Sequence, residues 1–142
     1  MPVTFNFQKK TTIRDIKKIK NFIPFLLKKE RKNLTEITIV LCSDAYLLNL
    51  NRKFLQHDFY TDIITFDLSL SDSSNIEGEL FISIDRVKDN ARNFKVKVQQ
   101  ELKRVIIHGV LHLCGYSDKE QKEKSKMKKK EEFYLSQFID FQ

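Results

Sequence analysis

His108-Gly109-Val110-Leu111-His112-Leu113-Cys114-Gly115-Tyr116-Ser117-Asp118 is the stretch on which the reading of the whole chain turns. Four residues of helix make about one turn, so His108 and His112 project from one face. Gly115 supplies a helix stop, and the chain beyond it can swing Asp118 back toward the two rings. The stretch thus offers two imidazole nitrogens and one carboxylate. That donor set suits zinc in a catalytic site, where three protein ligands leave a fourth position for water. Two of the chain's three histidines stand here. Val105, Ile106, Ile107, Val110, Leu111, Leu113 and Cys114 surround them, so the helix reads as buried. Two neutral imidazoles in such a place need polar partners, and one ion serves both. Gly109 lies mid-helix, where glycine costs about 1 kcal/mol relative to alanine, which points to close packing or close approach of a ligand. It also stands where the metalloprotease signature HExxH has its glutamate, so that motif is absent.

The composition fits this reading. A chain of 142 residues is long enough for one domain with a real core, and we take 1–142 as that domain. An apolar fraction of 41% excludes a wholly disordered chain, and a net charge of +7 favours an anionic partner, nucleic acid first. Cys42 and Cys114 lie in apolar runs and read as small buried hydrophobes. Neither a signal segment nor a membrane span is visible, so a reducing cytoplasm and no membrane partner are expected.

Outward from the motif, alternation predicts strands at 3–7, 35–42, 63–68 and 79–84. The second is apolar on both faces and reads as central. Thr11 or Thr12 is a candidate cap for a helix running to about Arg31, with Pro24 a possible kink or split. Ser43 caps a second helix. Asp85 is the candidate cap of a third over 86–94. A polar and aromatic loop around His57 and a flexible loop over 69–75 separate these elements. A break at 95–97 precedes the histidine helix. The Lys- and Glu-rich stretch 119–132 reads as an exposed helix supported by pairs such as Glu120 with Lys124, its later part docked by Met127, Tyr134, Leu135 and Phe138. The whole is an α+β fold, α/β-like in its mixing of elements. It has one small four-stranded mixed sheet and about five helices, with the metal-bearing helix buried against the sheet.

The motif resembles the signature HGxLHLxGYxH of the YbeY-type endoribonucleases, or rRNA maturation factors. The likeness extends upstream. Leu50-Asn51 followed by Thr61-Asp62-Ile63-Ile64-Thr65-Phe66 resembles that family's LN…TDVLSF stretch, and Gly78-Glu79-Leu80-Phe81-Ile82-Ser83 its GDIxIS strand. The resemblance implies one zinc per chain on His108, His112 and Asp118, acting as the catalytic residues through metal-bound water. It implies single-strand-specific RNA hydrolysis in ribosomal RNA processing, late maturation of the small-subunit rRNA 3′ end, ribosome quality control, and partners in the small subunit or its assembly factors. Two positions depart from the pattern. Asp118 stands where the family usually has a third histidine, and it remains a sound zinc ligand. Leu55 stands where many members carry an arginine implicated in activity. Arg52, Lys53, His57 or Arg104 can supply a replacement charge, and Arg104, one turn before His108, faces the same side.

Two rivals share the zinc. One is a non-catalytic, ribosome-associated RNA-binding factor with a structural zinc, closed by a fourth ligand such as His57 or Cys114. The other is a hydrolase of peptides or small molecules, which would lack salt-sensitive RNA binding. Phe59 and Tyr60 read either as platforms for an unpaired base or as core residues.

Overall fold

β2 (Asn33–Cys42) takes an inner place in the sheet because both of its faces are apolar: Ile37, Ile39 and Leu41 are buried on one side, Val40 and Cys42 on the other. The computed structural model describes residues 2–70 and 74–142. Within them β2 pairs in parallel with β1 (Val3–Phe7) and with β4 (Asn75–Ser83), and β3 (Ile63–Asp67) runs antiparallel along the far side of β4. The order is β1-β2-β4-β3, a four-stranded mixed sheet. Five helices accompany it: α1 (Ile16–Lys29), α2 (Asp44–Leu55), α3 (Ile84–Phe94), α4 (Val98–Leu113) and α5 (Gln121–Asp140). The α+β class, the small mixed sheet and the buried histidine helix are therefore as expected. The strands differ at their ends: β4 begins four residues earlier, at Asn75, and residues 71–73 of the expected loop lie outside the described residues.

The two faces of the sheet carry unequal loads. The main core joins Ile37, Ile39, Leu41, Leu80 and Ile82 of the sheet to Phe22, Leu26 and Leu27 of α1 and to Val105, Ile106, Val110 and Leu111 of α4. Cys42, Leu47 and Ile64 form a smaller cluster with α2. Gly109 is where α4 comes closest to the sheet. A Cβ there would stand 2.7 Å from Ile63 Cδ1 and 2.9 Å from Leu80 Cδ2. The missing side chain thus serves close helix–sheet packing rather than the approach of a ligand.

Three local expectations are corrected. α1 starts at Ile16, not near Thr12, because Gln99 pins the preceding segment. Its side chain accepts from Arg14 N at 2.8 Å and donates to Thr12 O at 2.9 Å. Asp15 then turns the chain with a left-handed φ of 64°. Pro24 lies inside α1 without ending it. The cap of α3 is Ser83, not Asp85. The Ser83 hydroxyl accepts from Arg86 N at 3.2 Å and donates to Asp44 Oδ1 at 3.1 Å. Asp85 instead accepts from Lys9 Nζ and Asp44 N. In α5, Glu120 closes a capping box with Glu123. Because Ser83 is fully buried, Ser83→Ala is expected to cost about 1–2 kcal/mol through the lost cap and an orphaned Asp44 oxygen. A lowered midpoint in urea unfolding checks this.

Candidate metal centre

α4 ends because its chemistry ends. Cys114 closes the last turn and Gly115 takes φ +107°, a conformation that favours glycine. Tyr116 N then donates back to Leu111 O at 3.1 Å, and this reversal carries Asp118 over the His108–His112 face. The two Nε2 atoms stand 3.0 Å apart, and Asp118 Oδ2 is 3.4 Å from each. Donors held about 2.0–2.1 Å from one tetrahedral ion stand about 3.3–3.4 Å apart, so the spacing and the two-nitrogen, one-carboxylate chemistry both fit a metal. His108 and His112 are mostly buried, whereas the Asp118 side chain is 41% exposed, so the group opens to solvent on the carboxylate side.

Behind the rings lies a second layer. His108 Nδ1 meets Glu131 Oε2 at 2.5 Å. Arg104 donates from Nη1 to Glu131 at 2.8 Å, and from Nε and Nη2 to both oxygens of Glu101 at 2.8 and 2.6 Å. Asp62 Oδ2 lies 3.8 Å from Arg104 Nη2 and accepts from Asn90 at 3.3 Å. Burial opposes charge on His108, but Glu131 and then Asp118 outweigh it and hold the imidazole above its usual value. Burial likewise opposes charge on Glu131, yet its His108 and Arg104 partners hold the carboxyl below its usual range. For Asp62 burial wins and the carboxyl is pushed up, against the pull of Arg104.

A third cluster ties the turn before Asp118 to the body. The Glu30 carboxylate accepts from Tyr116 Oη at 2.6 Å, from Lys130 Nζ at 3.2 Å and from the Tyr134 hydroxyl. Burial opposes ionisation of Glu30, but these three donors prevail and keep its carboxyl below the ordinary 4.5. A depressed carboxyl contributes stability that is present above the unfolded value and lost as pH falls through the folded one. Glu30→Gln is therefore expected to lower stability at pH 7 by about 1.5–3 kcal/mol, with the gap to wild type closing below about pH 4.5. Unfolding midpoints measured from pH 7 to pH 3 test it.

The structure brings Arg104 beside the site, with its guanidinium on Glu101 and Glu131. His57 stacks on Phe59, centroids 5.1 Å apart, and lines the cleft that holds His108, His112 and Asp118. Among the described residues the possible metal group is His108, His112 and Asp118, and neither His57 nor Cys114 joins it. Arg52 pairs with Asp58, and Lys53 lies over the Phe54 ring. Phe59 and Tyr60 are each 55% exposed, so they are not core residues. A second cleft, lined by Phe94, Gln100, Lys124 and Lys128, also reaches His108 and Asp118, so the group sits where two clefts meet. Glu131, Glu101 and Asp62 were not singled out from the sequence. For Glu131 a signal exists: it falls on the stripe Met127, Glu131, Tyr134 and Phe138, where an acid interrupts buried residues of α5.

Sheet order, buried helix and donor group together define a class: small α+β proteins with a His-His-carboxylate group able to hold a metal ion. The family model described as Endoribonuclease YbeY matches residues 4–139. A Cytophaga hutchinsonii protein named endoribonuclease YbeY is 51% identical over 124 residues, covering 87% of this chain and 86% of its own. One from Flavobacterium psychrophilum is 43% identical over 136 residues, 96% of each chain. The solution structure of a Thermotoga maritima protein superposes with a TM-score of 0.64 at 29% identity, covering 94% of this chain and 88% of the other. The chain belongs to the endoribonuclease YbeY family, hydrolases acting on RNA. No helix among the described residues is long and apolar enough to cross a membrane.

Proposed function

We propose that this chain is a zinc-dependent, single-strand-specific endoribonuclease of the cytoplasm. It would act in ribosomal RNA processing, at the late maturation of the small-subunit rRNA 3′ end, and in ribosome quality control. The substrate is ribosomal RNA, and the partners are the small subunit or its assembly factors. The observation that carries the reading is the convergence of the His108, His112 and Asp118 donor atoms, 3.0–3.4 Å apart, where two open clefts meet. An endonuclease needs room for the strand on both sides of the bond it breaks, and two clefts leaving one centre supply it.

His108, His112 and Asp118 would hold the ion. Zinc, when bound, supplies Lewis acidity toward water and toward a phosphoryl oxygen. The chain's own residues do the rest. Asp118 gives the centre one more negative charge than a third histidine would. The Phe59 ring, stacked on His57 and half exposed, offers a face to an unpaired base. Lys119 in one cleft and Lys124 and Lys128 in the other can hold backbone phosphates. The whole of 1–142 works as one hydrolase domain. What favours this over an RNA-binding factor with a structural zinc is the three-residue group with its half-exposed carboxylate, since structural zinc is closed by four ligands.

The test is elemental analysis of the purified protein together with cleavage of one RNA sequence presented single-stranded and as a duplex. One zinc per chain and cleavage confined to the single strand is the expected result. A 2′,3′-cyclic phosphate at the product ends would identify the 2′-OH as nucleophile, and a 5′-phosphate beside a 3′-hydroxyl would identify water. Zinc-loaded protein that binds RNA without cutting it would leave the binding-factor reading.

A further inference from the structure

We infer that Arg104 is a positioning residue, not a transition-state cation. With Glu101 it fixes Glu131, and Glu131 fixes the ring of His108 so that Nε2 faces His112 and Asp118. The inference rests on the metal reading of that group but not on its nuclease activity. An ionised carboxylate only accepts hydrogen bonds, so Glu131 Oε2, 2.5 Å from His108 Nδ1, places the ring proton on Nδ1. The lone pair of Nε2 is then turned toward the other two donors, which stand 3.0 and 3.4 Å away. Glu131 reaches the ring from α5, 23 residues further along the chain, and its side chain is only 7% exposed. A carboxylate so buried needs a bound partner to stay in place.

Arg104 is that partner. Its Nη1 is on Glu131, and its Nε and Nη2 form a two-pronged pair with Glu101, whose side chain is 1% exposed. The planar fork of a guanidinium matches two carboxylates at once, which lysine cannot do. Both faces of the fork are thereby committed. A cation so engaged cannot also swing to a phosphate without leaving Glu101 buried and unpaired and Glu131 held by His108 alone. The charge that the family pattern places at position 55 is therefore not replaced by Arg104.

Competition for zinc against a chromophoric chelator tests this without any turnover. The visible spectrum of the cobalt(II)-substituted protein reports the coordination geometry alongside it. Outer carboxylates that hold a metal-binding histidine typically contribute about 10–100-fold in affinity. Glu131→Ala should therefore weaken zinc binding by about that factor and alter the cobalt spectrum. Glu131→Gln has one acceptor oxygen where Glu131 uses two, so it keeps the Nδ1 contact only by turning its NH2 toward Arg104. It should weaken zinc less than Glu131→Ala, within about tenfold of wild type. Arg104→Met and Arg104→Lys should both weaken zinc by about tenfold, lysine failing because it lacks the fork. At saturating zinc each variant should regain cleavage to within about threefold of wild type. Circular dichroism shows which variants are folded, and if Glu131→Ala is not, the two Arg104 variants decide. Wild-type zinc affinity in Arg104→Met, or cleavage that stays lost at saturating zinc, would overturn the inference. If wild type cuts no RNA, the proposed function fails while the affinities still answer this question.

Discussion

His112→Ala is expected to cut RNA cleavage at least about a thousandfold, equivalent to about 4 kcal/mol of transition-state stabilisation, while leaving the fold intact. The reason is an asymmetry between the two histidines. His112 Nε2 has His108 and Asp118 as its neighbours, both members of the donor group, and its side chain is 26% exposed. Removing it takes one of the three donors and leaves no buried group orphaned. His108 also holds Glu131, so His108→Ala would leave Glu131 Oε2 buried without its partner, with only Arg104 on the other oxygen, at a cost of about 1–3 kcal/mol. It would therefore confound loss of metal with loss of structure. Leu111 and Leu113 flank His112 and are buried in the main core, so the helix keeps its anchors. The measurements are cleavage of a single-stranded RNA, zinc per chain and thermal unfolding of the metal-free protein. Cleavage near the wild-type rate at a wild-type zinc content would remove His112 from the site.

What the sequence could and could not show follows from the range of each interaction. The histidine helix was readable because its spacing, its apolar neighbours and its glycine stop are local, and Asp118 lies six residues beyond His112. β2 was readable as an inner strand because both of its faces are apolar. The second layer was hidden because it is assembled from afar. Glu101 stands one turn before Arg104 on α4, but Glu131 reaches Arg104 from α5 across 27 residues, and a Lys-rich run around Glu131 makes the acid look like one more solvated charge. The start of α1 was misplaced for the same reason: Thr12 and Arg14 are held by Gln99 across 87 and 85 residues. The two-for-one choice of caps at α3 was decided by burial. Both Ser83 and Asp85 can cap, but Ser83, itself fully buried, ends β4, and Asp85 is drawn to Lys9 and Asp44.

Leu80→Ala is expected to be among the most destabilising single truncations, at about 4–5 kcal/mol, the upper part of the range for this substitution. Leu80 is fully buried on β4, between β2 and β3, and its two methyl groups lie 2.9 and 3.0 Å from where a Cβ of Gly109 would stand. The helix backbone thus rests on this side chain. A cavity costs most where its walls cannot collapse, and here one wall is a glycine with no side chain to lean in. Gly109→Ala alone gains about 1 kcal/mol of helix propensity but is overpacked against Ile63 and Leu80, which typically costs about 1–3 kcal/mol. A small net loss is expected. In the Leu80→Ala background the clash with Leu80 is gone. Ile63 Cδ1, the other close atom and the far end of a flexible side chain, has the vacated space to turn into, and the new methyl fills part of the hole. The same Gly109→Ala should then stabilise by about 1 kcal/mol, a coupling of about 2 kcal/mol in a double-mutant cycle read by urea unfolding. Equal effects of Gly109→Ala in the two backgrounds would show that α4 does not rest on Leu80. The cycle bears on function because Gly109 lies between the two histidines. A helix lifted off the sheet by a methyl group carries His108 and His112 with it, and displacements near 1 Å from the chemistry can cost on the order of a hundredfold in rate. The glycine therefore sets the depth at which the donor group sits, and Leu80 is the surface it is set against.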